Sequence, residues 1–298
     1  MSSIQPYLRQ VELLIGPLPE WKGGGNSKQA LRIYSDGSQD GLRISFSVHK
    51  HAMTTATPTI VSVYNLSAGL RVALQEPGAQ IKMRVGWLNT ELVDLFTGSL
   101  LAAVHKREGA NIVTDLISLA GWGGVSRSIT STTFGKGVLI KDAVSQLANK
   151  IPGVTVDPKL INLKNTRIGS QGLSFVGSTE ASLNKLSRVY GFTWWINDGV
   201  FYAKNDDRAF ASGKVVISYK DGSLLRAEPM LASPMQIQAG VTIQSVLNPL
   251  IQPGHMVKLE SGLNKKLNRD YVVHTLAHQG DTHGQQWQSM IESWIVLG

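Results

Sequence analysis

The sequence predicts a β-rich α+β protein: an antiparallel β unit, a small α+β module, then a second antiparallel β unit. Three observations predict it. Across residues 81–120 apolar and polar residues alternate in runs separated by turn residues, the period of a half-buried strand. Across 138–190 the apolar spacing changes to that of an amphipathic helix. Beyond 213 the two-residue period returns. The expected division is therefore 1–128, 129–212 and 213–298. The chain has 298 residues, 17% of them charged, and 30 glycines. That length suits two or three domains of about 100–200 residues each, and the low charge suits a β-rich protein with much surface committed to partners.

The first unit opens with a short apolar piece, Val11-Glu12-Leu13-Leu14-Ile15, and a glycine-rich loop over 21–27. Residues 31–34 and 42–50 alternate as strands around the turn cluster Asp36-Gly37-Ser38-Gln39-Asp40-Gly41. That cluster lacks the third acid and the late Glu of a calcium-binding loop, so it reads as a hairpin connection. Residues 59–67 form a strand ending in a turn, 68–76 one or two helical turns, and Pro77-Gly78 closes them. In the following meander Ile81, Met83 and Val85 alternate with Lys82 and Arg84. Gly86 and Asn89 mark a turn, and 92–96 runs into Thr97-Gly98 before 100–105 continues as another strand. Residues 107–111 turn, and 112–119 returns. This is a meander with one wet face, the core of a barrel or sandwich.

Residues 122–137 read as a Gly/Ser/Thr-rich link. Ile140, Val144, Leu147 and Ile151 then fall on one helical face, stopped by Pro152-Gly153, with 154–156 a short strand. Ser178 is a candidate N-cap for a second helix whose apolar face is Leu183, Leu186, Val189 and Tyr190, and Gly191 sits where a left-handed C-terminal cap belongs. Residues 192–203 form a hairpin with Asp198-Gly199 at its turn. In the last unit 215–219, 235–246, 256–260, 271–277 and 287–296 read as strands, the final two pairing across Gly280-Asp281-Thr282-His283-Gly284.

Little chemistry is poised in this chain. It has no cysteine, which excludes disulfides, thiolate catalysis and cysteine-based zinc sites. No secretory signal opens it, and no run of about 18 apolar residues exists to cross a bilayer; folding in a cytosol is expected. The net charge of +8 is spread as excesses of three, four and one over the three segments, unlike the concentrated stripe of a nucleic-acid binder. Lys265, Lys266 and Arg269 read as a solvated turn. Gly135-Lys136-Gly137 lacks the spacing and the hydroxyl residue of a P-loop, and Gly169-Ser170-Gln171-Gly172 is one residue short of a nucleophile elbow. His274, His278 and His283, with Asp281 nearby, are the best metal candidates. His274 and His278 share strand parity, yet strand-end and turn positions are the plainer reading. Glu91, Asp94, Glu108 and Asp115 are close in sequence with nothing to mark two of them as an acid/base pair. Trp87, Trp194 and Trp195 could stack on sugars; a core role is the plainer reading of a Trp pair in a hairpin. No catalytic, cofactor or metal residue is assigned. The alternative reading, a carbohydrate-binding β module of a tail or cell-wall protein, requires Trp194 or Trp195 to be exposed on one face with Trp87. A third, a hydrolase, requires a cleft with paired carboxylates.

Taken in order, several pieces resemble a family. They are Tyr64-Asn65-Leu66-Ser67, Val85-Gly86-Trp87, Leu95-Phe96-Thr97-Gly98 and Arg107-Glu108-Gly109, then the helix at 138–151 and the helix-Gly-hairpin at 178–203. Val246-Leu247-Asn248-Pro249, Pro253-Gly254, Gly280-Asp281-Thr282-His283-Gly284 and Trp287 close the series. Together they resemble phage tail baseplate hub proteins, similar to the hubs of the contractile-tailed phages Mu and T4. The first forty residues and 204–235 add little to the likeness. The resemblance implies two tube-like β-barrels flanking an α/β module, and a homotrimer whose six barrels ring the DNA exit channel. The ring would match a sixfold tail tube on one side and a threefold spike on the other. Implied partners are a tail spike or needle protein, the tail tube, tape measure or distal tail proteins, other baseplate proteins and genomic DNA in transit, with no stable membrane insertion. The implied location is the virion baseplate, assembled in the bacterial host cytoplasm. The role implied is structural, without a cofactor, and no cell-wall-cleaving segment is visible. The basic balance departs from what a DNA conduit needs, so the excess is expected mainly outside the lumen.

Overall fold

A computed structural model of the chain describes residues 8–17, 31–53, 57–75, 79–120, 122–230 and 240–295. The expected loop at 21–27, the Pro77-Gly78 stop and the stretch 235–239 lie outside the described residues. The chain is a β-rich α+β protein in which strand far outweighs helix.

The first β unit contains β1 (Arg9–Pro17), β2 (Leu31–Ser35), β3 (Ile44–His51), β4 (Thr59–Tyr64), the short helix α1 (Ala68–Ala73), β5 (Ala79–Trp87), β6 (Val93–Glu108) and β7 (Asn111–Leu119). Alternation decides which side chains point inward: Ile44, Phe46 and Val48 of β3 and Ile81, Met83 and Val85 of β5 are buried, with their polar neighbours partly exposed. Ser67 caps α1 by accepting from the Leu70 amide. The turn cluster at 36–41 is the expected connection, with the Ser38 amide donating to Asp36 Oδ1 at 2.9 Å and Gly37 at φ 73°.

The helical module holds the four-residue helix α2 (Trp122–Val125), β8 (Ile129–Phe134), α3 (Ile140–Ala148), β9 (Thr155–Asn162), β10 (Leu173–Ser178), α4 (Thr179–Tyr190), β11 (Thr193–Asn197) and β12 (Val200–Lys204). Ile140, Val144, Leu147 and Ile151 are all buried. Ser178 Oγ accepts from the Ala181 amide, and Gly191 caps α4 at φ 64°. The second unit follows: β13 (Phe210–Ser218), β14 (Leu224–Met230), β15 (Gly240–Val246), β16 (His255–Glu260), a 3-10 turn Lys265–Leu267, β17 (Asp270–Asp281) and β18 (Trp287–Trp294).

Several expectations are corrected. The link at 122–137 contains a real strand: β8 pairs antiparallel with β10, Ile129 opposite Ser178. Its Ile-Thr-Ser-Thr-Thr-Phe sequence lacks an apolar alternation but is rich in β-branched residues, which fit a pleated surface. Strand β14 is a second omission, with no fully buried residue to betray it. No break falls at Thr97-Gly98. Strand β6 runs through 16 residues, its first half paired with β5 and its second with β7. Gly98 is there for space, since a Cβ would lie 2.5 Å from Phe96 Cζ and 2.6 Å from the Leu119 carbonyl oxygen. Val189 is exposed rather than part of the buried face of α4, because Leu183, Leu186 and Tyr190 already complete that face.

The two β units are not separate sheets. One 13-stranded sheet runs β14-β15-β18-β17-β3-β4-β7-β6-β5-β1-β2, with β16 and β13 branching from β17. The join is β17. At 12 residues, about 40 Å at roughly 3.3 Å per residue, it outreaches any single neighbour. Its start pairs with β16, and from Thr275 to Asp281 the same edge pairs with β3, Thr275 opposite His51 and Asp281 opposite Ser45. Core packing crosses the join as well: Leu247 and Trp287 of the second unit belong to the cluster built on Leu13, Ile44, Met83 and Leu116. Among the described residues the strands do not close into a barrel.

Candidate functional site: the seam between the β units

Both ends of the β3–β17 seam are pinned by charge. At one end stands Lys50, on the inward-facing parity of β3 and only 2% exposed. A buried ammonium needs a partner, and it donates to Asp198 Oδ2 at 2.5 Å. Asp198 is the first residue of the two-residue turn between β11 and β12, at φ 52°, followed by Gly199 at φ 74°, the geometry of a type I′ hairpin. Its other oxygen accepts from the Thr97 amide at 3.1 Å. One turn carboxylate thus fastens the helical module to β3 and β6 together.

At the other end Asp281 closes β17. Arg43 donates to its carboxylate at 2.7 Å, and the His283 amide donates to Oδ1 at 2.9 Å. Burial opposes the charge of Asp281, but the Arg43 hydrogen bonds and the His283 and Gly284 amides outweigh it and hold its pKa below the usual carboxylate value. Arg9, from β1, donates to the carbonyls of Asp281 (2.9 Å), Gly284, Gln285 (3.1 Å) and Gln286 (3.1 Å), and its guanidinium lies 5.5 Å from the Trp287 ring centre. Beneath this clamp Trp287 packs edge-on to Phe46 and tilted to Trp87, each with centroids 5.7 Å apart.

On the face of the seam away from the cores a ladder of neutral glutamines crosses three strands, with the Glu292 carboxylate further along β18. Gln244 Nε2 donates to Gln288 Oε1 at 2.6 Å, and Gln288 Nε2 donates to Gln279 Oε1 at 3.1 Å. Gln279 stands opposite Ser47 of β3.

The candidates from the sequence scatter. His278 is completely buried with Nδ1 2.8 Å from Ser289 Oγ, and burial pushes its pKa well down. His283 sits in the turn beside Thr282 Oγ1 (2.9 Å). His274 occupies an irregularity between Val273 and Thr275, which breaks the parity it would share with His278 and turns it toward Trp294, centroids 6.3 Å apart. Among the described residues no three or more His, Asp or Glu side chains converge as a metal site would require.

Asp94 pairs with Lys82 and Arg84, and Glu108 and Asp115 pair with Lys106. They balance charge on the wet face. Lys265 and Lys266 lie exposed in the 3-10 turn and Arg269 just beyond it. Gly137 takes φ 84° before α3, its carbonyl accepting from Arg167. Trp194 and Trp195 are 2% and 1% exposed. They point to opposite sides of the hairpin, and both sides are covered. Trp194 stacks on Phe201 in the module's core, and Trp195 lies parallel to Tyr202 (5.5 Å, 3°) against Phe210 and Ala52. The exposed rings that a carbohydrate-binding module needs are not supplied by this pair.

Sequence reasoning missed Lys50, Asp198, Arg9 and Arg43. Lys50 had a signal: a charge in phase with Ile44, Phe46 and Val48 on an apolar strand face asks for a buried partner. The arginines had none, because their targets lie more than 200 residues away.

A family model described as baseplate hub gp41 matches residues 29–292. No curated protein matches the sequence. Among solved structures, a tail protein from Neisseria meningitidis MC58 superposes with a TM-score of 0.60 at 11% identity, covering 97% of each chain. The 43 kDa tail protein of prophage MuSo2 from Shewanella oneidensis gives 0.59 at 9% identity, over 95% of this chain and 96% of that one. The E. coli c3393 protein gives 0.57 at 10% identity, over 86% and 74%; it is described as a component of the type VI secretion system with structural similarity to T4 tail proteins gp27 and gp5.

Proposed function

The chain belongs to the baseplate hub gp41 family, and from that premise we propose that it is the structural hub of a phage tail, a homotrimer joining the tail tube to the central spike around the DNA exit channel. It is a phage tail baseplate protein, and its place is the virion tail. The observation that carries the finer reading is the seam. Strand β17 holds two β units side by side within one chain, so three chains would present six β units, the number that lets a threefold spike meet a sixfold tube. In this reading the segments 1–128 and 213–298 act as tube-like β-barrel domains and 129–212 is the module between them. The role is structural, without catalysis or a cofactor.

The neutral Gln244–Gln288–Gln279 ladder and the paired charges of Asp94 and Asp115 support passage of a polyanion, since neither offers an unpaired cation to hold phosphate. The partners in this reading are the spike or needle protein, the tube, tape measure or distal tail proteins, and the remaining baseplate, with assembly in the host cytoplasm. Light scattering of the purified chain, alone and with its spike partner, tests it. The expected species is three times the 32.3 kDa chain mass. A monomer at tens of micromolar under both conditions would overturn it.

A further inference from the structure

The loop 261–269 joins β16 to β17 and closes on itself. Lys258 and Asp270 pair at its base, and the Leu259 amide donates to the Arg269 carbonyl at 3.0 Å. Within it the Ser261 amide donates to Asn268 Oδ1 at 2.6 Å, Asn268 Nδ2 donates back to the Ser261 carbonyl at 3.1 Å, and the Asn264 amide donates to Ser261 Oγ at 3.1 Å. Tyr271 Oη donates to the Leu267 carbonyl at 3.0 Å, and Leu267 packs against the core of the second unit. A loop held by its own side chains keeps a fixed shape. That shape presents Leu263 wholly to solvent, at 103% of its reference exposure. Beside it Gly262 lies under the Tyr219 ring, where a Cβ would be 3.0 Å from Tyr219 Cδ2, and Tyr219 is itself half exposed. The charges around this apolar tip are one-sided. Lys214 pairs with Asp270 at 2.7 Å and Lys258 with Glu260 at 2.8 Å, while Asp221 Oδ1 accepts from the Ser223 amide at 2.9 Å. Among the described residues Lys220, Lys265, Lys266 and Arg269 have no carboxylate partner.

We propose that this loop is a peripheral contact for an anionic lipid surface. Leu263 enters the acyl boundary, Tyr219 sits at headgroup level, and Lys220, Lys265, Lys266 and Arg269 meet the lipid phosphates. A single exposed leucine needs no explanation. This one stands with an exposed aromatic ring among four unpaired cations, the set of side chains that anchors a protein at a bilayer interface. The loop spends Asn268 and the amides of Ser261, Asn264, Leu267 and Asn268 on itself. Little directed hydrogen bonding is left to read a protein partner, whereas lipid phosphates ask only for charge. Each cation close to an anionic leaflet raises partitioning roughly fivefold, and one leucine raises it about tenfold. The contact is therefore weak and reversible, resting on the surface rather than spanning it. This inference does not depend on the trimer or on DNA passage; a trimer would apply three such loops at once.

The test is flotation of the full chain with vesicles of phosphatidylcholine alone and of phosphatidylcholine with about 30% phosphatidylglycerol, each at about 50 and about 300 mM salt. The native chain should bind the anionic vesicles at least about tenfold better than the neutral ones at low salt, and lose most of that preference at the higher salt. Leu263→Ser should weaken binding about tenfold, and Lys265→Gln/Lys266→Gln about thirtyfold. The control Lys136→Gln/Lys159→Gln removes the same charge from exposed positions of the helical module and should stay within about twofold of the native chain, since distant charges are screened. All of these positions are exposed, so the fold is kept. Equal binding to the two kinds of vesicle, equal losses in the two double variants, or native binding by Leu263→Ser would overturn the proposal. So would self-association that Leu263→Ser abolishes in a chain that binds no vesicles, which would give the loop to a second copy of the chain.

Discussion

Asp198 occupies a backbone conformation that Asp and Asn tolerate better than most side chains, and it spends both carboxylate oxygens on neighbours outside its own hairpin. Removing it leaves the Lys50 ammonium buried alone. Asp198→Ala is expected to destabilise the chain by about 3 kcal/mol, the low end for breaking a buried pair because the Asp198 side chain is 25% exposed; urea unfolding measures it, and a loss below about 1 kcal/mol would mean the pair is not an anchor. Asp281 makes a different prediction, in pH. Its folded pKa lies below the ordinary carboxylate value, so its contribution is present above about pH 4 and lost as pH falls through the folded value. Asp281→Asn should lower the thermal midpoint at neutral pH and flatten the acid limb of the stability curve. An unchanged acid limb would assign acid sensitivity elsewhere. At this scale the sequence was legible where a residue broke its local pattern, as Lys50 does on β3, and illegible where a surface arginine reached across the chain, as Arg9 does.

The elements of the two β units are legible because a pleated strand with one buried face must alternate. That is why β3, β5 and β7 follow from the residues alone. Strands β8 and β14 do not: β14 has no fully buried residue to reveal it, and β8 relies on threonines that serve a strand or a loop equally well. Long strands are the distinctive element here. β6 and β17 each serve two partners in succession, and each has a close-packed glycine along its length. A Cβ on Gly280 would lie 2.3 Å from Phe46 Cζ and 2.9 Å from Trp287 Cε3. Gly280→Ala is therefore expected to cost about 1–3 kcal/mol through overpacking. Gly135→Ala, with nothing within 4 Å of the added methyl, should stay within about 0.5 kcal/mol of the parent. Equal midpoints for the two variants in chemical denaturation would count against the close packing of Phe46 and Trp287 over the seam.

For the whole molecule, a shared strand and a core cluster that crosses from one unit to the other couple the two β units mechanically. Their unfolding is expected to be one cooperative transition, with circular dichroism and tryptophan fluorescence tracing the same denaturant midpoint; two resolved β transitions would show the seam to be a weak contact. The sequence by itself determined the β-rich α+β class, most strands, both long helices, the Asp-Gly hairpin and the likeness to baseplate hubs, because each of these is written in spacings of a few residues. Only the tertiary structure decided that 270–281 pairs with 44–51, and that Trp194 and Trp195 are buried on opposite sides of one hairpin. Backbone hydrogen bonding across a sheet is blind to side-chain identity. A strand long enough for two neighbours therefore carries no local mark of which second strand it will find, and that choice is made by the packing of the assembled cores.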